Sequence, residues 1–131
     1  MKNYKIATIP GDGIGAEVIS AGVIVLEALV EKIDEIEIVF DHFDWGGEYY
    51  KMYKQMMPED GIYQTSEHDA IYLGAVGFPG VPDHISLWGL LIPFRREYQQ
   101  YVNLRPVRLF KGVPSPLANR KPGDIDFYVV R

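Results

Sequence analysis

Lys5-Ile6-Ala7-Thr8-Ile9-Pro10-Gly11-Asp12-Gly13-Ile14-Gly15-Ala16 is the stretch that decides the fold. A short apolar run from Lys5 to Ile9 stops at a proline and a cluster of glycines. A segment with helical periodicity starts directly afterwards, at Ala16. That order predicts a strand turned tightly into a helix. From Ala16 to Ile33, the residues Glu17, Ser20, Glu27 and Glu31 fall on one helical face, while Val18, Ile19, Val23, Val25, Leu26, Leu29 and Val30 cover the rest. So narrow a polar stripe predicts a helix buried on most of its circumference against a sheet.

Working outward, Ile36 to Phe43 reads as a second strand, and Glu48 to Lys54 and Pro58 to Glu67 as short helices. Asp69 to Gly77 is a nearly unbroken apolar run, which predicts a strand covered on both faces. Strands alternating with helices in this way argue for an α/β fold with a mostly parallel sheet flanked by helices. Phe78 to Asp83 is a loop rich in proline and glycine, and Pro93 to Gln100 suits a helix with proline in its first turn. Tyr101 to Phe110 and Ile125 to Val130 read as strands joined by an excursion from Gly112 to Gly123. The βα rhythm changes near residue 100, so residues 1–99 and 100–131 are expected to be separate regions. Asp126 to Arg131 stops in mid-strand without a capping turn, and that reads as truncation.

Composition excludes several classes. A chain of 131 residues with 47% hydrophobic and 24% charged content is long enough for a core and is not disordered. With no cysteine there is no disulfide framework, thiolate metal site or cysteine nucleophile. The N-terminus has no apolar core of signal-peptide length, and no run approaches the ~20 apolar residues of a membrane span, so a cytoplasmic protein is expected. The net charge of −5 is uneven. Arg95, Arg96, Arg105, Arg108, Lys111, Arg120 and Lys121 face one acid, Glu97, giving +6 in that window and −11 elsewhere. A local cationic segment on an acidic chain suggests an anionic ligand held in one place, rather than a nucleic-acid surface.

The glycine turn satisfies the loose dinucleotide fingerprint G-x-G-x-x-A, with Asp41 or Asp44 placed to bind a ribose. A tight turn that simply needs small residues accounts for it equally well. Arg95 on a helix, Arg105 on the following strand and Arg131 at the end of another could converge on one doubly charged acid, because guanidinium groups bind carboxylates bidentately. Solvated surface arginines are the alternative. Asp83-His84 has no partner at a catalytic spacing and suits a loop-capping role, while His42 and His68 read as isolated. Tyr49, Tyr50 and Tyr53 suggest amphipathic packing. Asp34, Glu35 and Glu37 read as a solvated helix end, and no carboxylates have the spacing of a divalent site.

Ile9-Pro10-Gly11-Asp12-Gly13-Ile14-Gly15 followed by Glu17-Val18 resembles the opening signature of the isocitrate/isopropylmalate dehydrogenase family. The resemblance covers the whole chain and about the first third of a family member. It implies the N-terminal part of the isopropylmalate dehydrogenase-like fold, which is not a true Rossmann domain. Residues 1–99 would begin the cofactor-side domain and residues 100–131 the substrate and dimerisation domain. The glycine turn would then wall only the nicotinamide end of NAD, with Ile14 in contact and Gly74, Ala75 and Val76 beside it. Arg95 and Arg105, ten residues apart with the second inside Asn103-Leu104-Arg105-Pro106, match two family arginines that bind the malate moiety. Arg131 matches a third. Asp83 to Leu117 resembles the branch acting on tartrate or D-malate, and Leu87-Trp88 replaces the glutamate that isopropylmalate enzymes carry near the nicotinamide.

The activity so implied is NAD-dependent oxidative decarboxylation of a small 2-hydroxy dicarboxylate with Mg²⁺ or Mn²⁺, by a homodimer. Isopropylmalate is the alternative substrate. The catalytic lysine and tyrosine and the metal's aspartates would lie beyond Arg131, leaving no catalytic residue in this chain and the chain inactive by itself. Outside this family, a stand-alone nucleotide-binding module or a basic interaction module on Arg95 to Lys121 remains open. Neither nucleic acid nor membrane is an expected partner.

Overall fold

The computed structural model describes residues 2–131. The chain divides into two compact units, the first ending at Tyr98 and the second spanning Gln99–Arg131.

The first unit is built on a three-stranded parallel sheet in the order β2-β1-β3, with β1 Lys2–Gly11, β2 Ile36–His42 and β3 Ala70–Ala75. Lys5 lies opposite Val39, and Ile6 opposite both Phe40 and Ala70. Because β1 is central, Ala7, Thr8 and Ile9 are the residues it seals from solvent. Alternation along the strand sends these side chains to opposite faces. Thr8 and Tyr72 face α1 (Gly15–Val30), the latter meeting Gly22. Ile9, Ile71 and Leu73 face the main core of Trp45, Met56, Val81, Leu90 and Phe94. Helices α2 (Gly47–Tyr53), α3 (Gly61–Thr65), α4 (Asp83–Ser86) and α5 (Ile92–Glu97) complete this unit.

Between α4 and α5, Leu87–Leu91 forms a π-helical turn, so helical backbone runs from Asp83 to Glu97. Pro93 explains the change of register. Its ring would clash with the carbonyl four residues back and cannot donate to it. The wider turn, in which the Ile92 N–H reaches Leu87 O, carries the chain past that defect. His84 therefore sits in the first turn of a helix, not in a loop.

Two burial expectations are corrected. On α1 only Gly15 and Ile19 are buried, while Val18, Ile24, Val25 and Leu29 are exposed, because the helix touches the sheet along one line. On β3, Ile71 to Ala75 are half-buried rather than sealed, because the strand lies at the sheet's edge. Nor are Asp34, Glu35 and Glu37 a helix end. Helix α1 has already stopped at Val30, and Glu37 is on β2.

The second unit is an antiparallel ribbon of β4 (Leu104–Arg108) and β5 (Asp126–Val130), with Arg105 opposite Val129 and Arg108 opposite Asp126. Every residue of both strands is exposed.

Candidate functional site

The glycine turn and the end of β3 form one structure. The Asp12 N–H donates to Ala75 O at 2.7 Å, and the Gly15 N–H to Asp12 O at 2.9 Å. A Cβ on Gly15 would lie 2.0 Å from Pro10 O and 2.7 Å from Ala75 N, and one on Gly74 would lie 2.3 Å from Pro10 O. These glycines are therefore required by backbone-to-backbone contact, and Gly11 also by its φ of +69°. The contact sets Ile14, 60% exposed, on the turn that packs against Gly74 and Ala75.

Asp12 is the residue that sequence reasoning missed. Its carboxylate is buried and accepts from the Gly47 N–H at 2.7 Å and the Gly77 N–H at 2.9 Å. One side chain thus ties the glycine turn to the start of α2 and to the loop that follows β3. Such a carboxylate repels an anion, and two of the turn's own N–H groups are already bonded. A pyrophosphate does not fit here, so the turn is not a dinucleotide phosphate site. Nothing in the fingerprint G-x-G-x-x-A marks the residue, which stands at an unspecified position.

The candidate ribose acids are occupied too. The Asp41 carboxylate meets Lys5 Nζ at 2.9 Å and His68 Nε2 at 3.0 Å. The bond from Lys5 chiefly, and then that from His68, holds the Asp41 carboxyl below its ordinary value of 3.8. The bond to Asp41 correspondingly raises Lys5 above 10.5. His68 is buried against Phe43, and among the described residues its Nδ1 has no hydrogen-bond partner. Asp44 Oδ1 lies 2.9 Å from His42 Nε2, and His42 Nδ1 lies 3.2 Å from the Thr8 hydroxyl. Neither histidine is isolated: the parallel register of β1 and β2 sets His42 beside Thr8, and Asp41 on β2 reaches His68. This Thr8-His42-Asp44 chain lines a cleft of about 600 Å³ walled by Ile19, Trp45 and Tyr49. Gly11 of the glycine turn and the candidate ribose acid Asp44 line that cleft, whereas the residues assigned to the nicotinamide and to the substrate do not.

Leu87 and Trp88 occupy the π-turn, both partly exposed beside the buried Leu90, and the Arg96 guanidinium lies 5.9 Å from the Trp88 ring. Arg95 is an exposed residue of α5, in the first unit. Arg105 and Arg131 belong to the ribbon. Arg105 is opposite Val129, and Arg131 bonds through its backbone to Asn103 at 3.0 Å in both directions. The two arginines are therefore diagonal neighbours on one face, about 7–8 Å apart at the backbone. The Arg105 Nε–H donates to Asn103 Oδ1 at 3.3 Å, and among the described residues its terminal nitrogens meet no acceptor. Arg108 points to the opposite face and pairs with Asp126 at 2.8 Å. Among the described residues no group of three His, Cys, Asp or Glu could hold a metal ion, and no helix is long and apolar enough to cross a membrane.

Residues 5–131 match the family model described as isocitrate/isopropylmalate dehydrogenase. The whole chain is 59% identical to D-malate dehydrogenase [decarboxylating] of Escherichia coli (strain K12), over 37% of that protein. Over 98% of its length it is 58% identical to tartrate dehydrogenase/decarboxylase of Pseudomonas putida, covering 36% of that protein. The chain thus spans little more than a third of the length of these relatives. Among solved structures, the TT0538 protein from Thermus thermophilus superposes on 96% of this chain and 23% of its own, with TM-score 0.71 and 29% identity. Isocitrate dehydrogenase from Methylococcus capsulatus, 23% identical, shares the fold over 97% of this chain and 34% of its own with TM-score 0.72. By the match of all but its first four residues, the chain belongs to the isocitrate/isopropylmalate dehydrogenase family.

Proposed function

We propose that these 131 residues supply part of the substrate cage and of the cofactor wall of an NAD-dependent enzyme. That enzyme oxidatively decarboxylates tartrate or D-malate in the cytoplasm, as a homodimer. The observation that carries the reading is the placement of Arg105 and Arg131 on one face of the ribbon, with Arg105 oriented by Asn103. Two permanently charged planar donors at that separation suit a small dicarboxylate, which each can bind bidentately. Arg95 is the third arginine of the cage. The names of the relatives at 59% and 58% identity support the choice of tartrate or D-malate over isopropylmalate.

NAD supplies the hydride acceptor when bound. The residues that would hold its nicotinamide end are Ile14, Gly74, Ala75, Val76, Leu87 and Trp88. Ile14, Leu87 and Trp88 are apolar and at least partly exposed, which fits a flat aromatic ring. The buried Asp12 carboxylate excludes the pyrophosphate from the turn, so the rest of the dinucleotide is held by chain outside these residues. Mg²⁺ or Mn²⁺ belongs to the proposed reaction, yet the described residues do not fit a divalent ion. Its ligands, like the proton-transferring groups, are assigned to the remainder of the enzyme. Residues up to 99 thus serve the cofactor side and residues 100–131 begin the substrate side.

The test is a chimera in which this chain replaces the matching segment of the Escherichia coli D-malate dehydrogenase. NADH formation is then followed with D-malate, tartrate and 3-isopropylmalate. D-malate or tartrate should be oxidised and isopropylmalate should not. A chimera in which Arg105→Ala and Arg131→Ala leave the KM for dicarboxylate unchanged would sink the reading.

A further inference from the structure

Trp88 and Arg96 stand well apart in sequence, and the helix between them decides that they meet. In an α-helix, positions eight apart lie about 80° from one another around the axis. The π-turn Leu87–Leu91 takes up one residue more than an α-turn does, so the pair acts as though seven apart and the offset shrinks to about 20°. Helical side chains lean toward the N-terminus, which sends the long Arg96 side chain back over the turn that carries Trp88. The guanidinium carbon stands 5.9 Å from the centre of the indole, within the range of a cation–π contact. Among the described residues, Arg96 forms no ion pair and Trp88 stacks on no other aromatic ring. Leu90 and Phe94 are buried and fix the backbone of the same helix, but the Trp88 ring is 58% exposed and the core does not hold it. The contact that restrains the ring is the one from Arg96.

We propose that Arg96 is a positioning residue for the cofactor: it holds the Trp88 ring as a fixed wall for the nicotinamide end of NAD, and so acts on cofactor binding rather than on the dicarboxylate. The inference rests on the reading of Trp88 as part of the cofactor wall. It gives two adjacent arginines of one helix different roles. Arg95 belongs to the substrate cage. Arg96, one residue on and turned about 100° around the axis, serves the cofactor through Trp88. The physical reason is preorganisation. An unrestrained indole at the surface loses rotamer freedom when a second ring packs on it, and that loss is subtracted from binding. A ring already held by the guanidinium has met the cost beforehand. Arginine suits this better than lysine, because its planar group lies flat on an aromatic face while an ammonium is a strongly hydrated point charge.

Two measurements test this, the first without cofactor. Trp45 is buried and Trp88 exposed, so ionic quenchers of tryptophan fluorescence reach Trp88 in the 131-residue chain. Arg96→Ala should lower quenching by iodide and raise quenching by caesium, each by about two- to threefold, because the cation over the ring is gone. Arg96→Lys should fall between. In the chimera, Arg96→Ala should raise the KM for NAD by about two- to fivefold, the worth of one exposed cation–π contact, while the KM for D-malate stays where it was. Arg96→Lys should recover part of that loss. In a Trp88→Leu background, Arg96→Ala should add nothing to the KM for NAD, since the ring it acts through is absent. Quenching that Arg96→Ala leaves unchanged overturns the proposal. So does an equal rise in the KM for D-malate, or a rise for NAD that persists undiminished in the Trp88→Leu background. An active chimera with an unmoved KM for NAD refutes this inference alone, whereas a chimera that oxidises neither D-malate nor tartrate refutes the proposed function and this inference with it.

Discussion

The glycines around Asp12 match a nucleotide-binding pattern, but its buried carboxylate spends its acceptors on the Gly47 and Gly77 N–H groups. Asp12→Asn presents one oxygen and one NH₂ to two backbone donors, so one of them loses its bond. A loss of about 1–3 kcal/mol is expected, read from urea unfolding. At Asp41 the effect is one of pH. Its carboxyl is lowered by Lys5 and His68, so its contribution is present above the ordinary 3.8 and lost as pH falls through the folded value. Lys5 is raised by the same pair, so its share is complete below 10.5 and lost as pH rises through its folded value. Asp41→Asn should flatten both limbs, with urea midpoints falling less than in the wild type below pH 3.8 and above pH 10.5. At Arg105, lysine keeps the charge and loses the planar fork. In the chimera, Arg105→Lys is expected to cut kcat/KM for the dicarboxylate by about 10- to 100-fold, measured by initial rates.

Among the elements, the run from Asp83 to Glu97 carries the clearest local logic. Pro93 is visible in the sequence as a helix-start residue, and α5 does contain it near its first turn. The sequence pattern does not show that helix precedes it, because a π-turn is a register change without a composition of its own. Gly89 lies in that turn against Met56, and a Cβ there would come within 2.7 Å of Met56 Cγ. Gly89→Ala therefore overpacks the core, and thermal melting should show a loss of about 1–3 kcal/mol. The ribbon contrasts with this. Two strands without a covered face are marginal in water, so their amides should exchange well before those of β1, where Ala7 and Ile9 are fully buried.

For the whole molecule, a parallel sheet of three strands leaves β3 at an edge and much of α1 in solvent. Val18, Ile24, Val25 and Leu29 all stand exposed on that one helix. The chain spans 37% of its Escherichia coli relative. By the proposed division of labour, the proton-transferring groups and metal ligands are not among its residues. The purified 131-residue chain is accordingly expected to form no NADH from D-malate or tartrate, whereas the chimera does. Turnover by the chain alone would overturn that division.

The order of strands and helices, the tight strand-to-helix turn and the family were all legible along the chain. Each depends on local periodicity, glycine placement or spacing, which survive without a folded context. The placement of Arg105 and Arg131 on one face needed the antiparallel register, and the role of Asp12 needed the start of α2 and a loop after β3 brought from 35 and 65 residues away. Those features come from the folded molecule, because hydrogen bonds between distant segments leave no period in the sequence. The same holds for which apolar residues are buried. Burial depends on how many neighbours a sheet acquires, and a strand's own composition does not record that number.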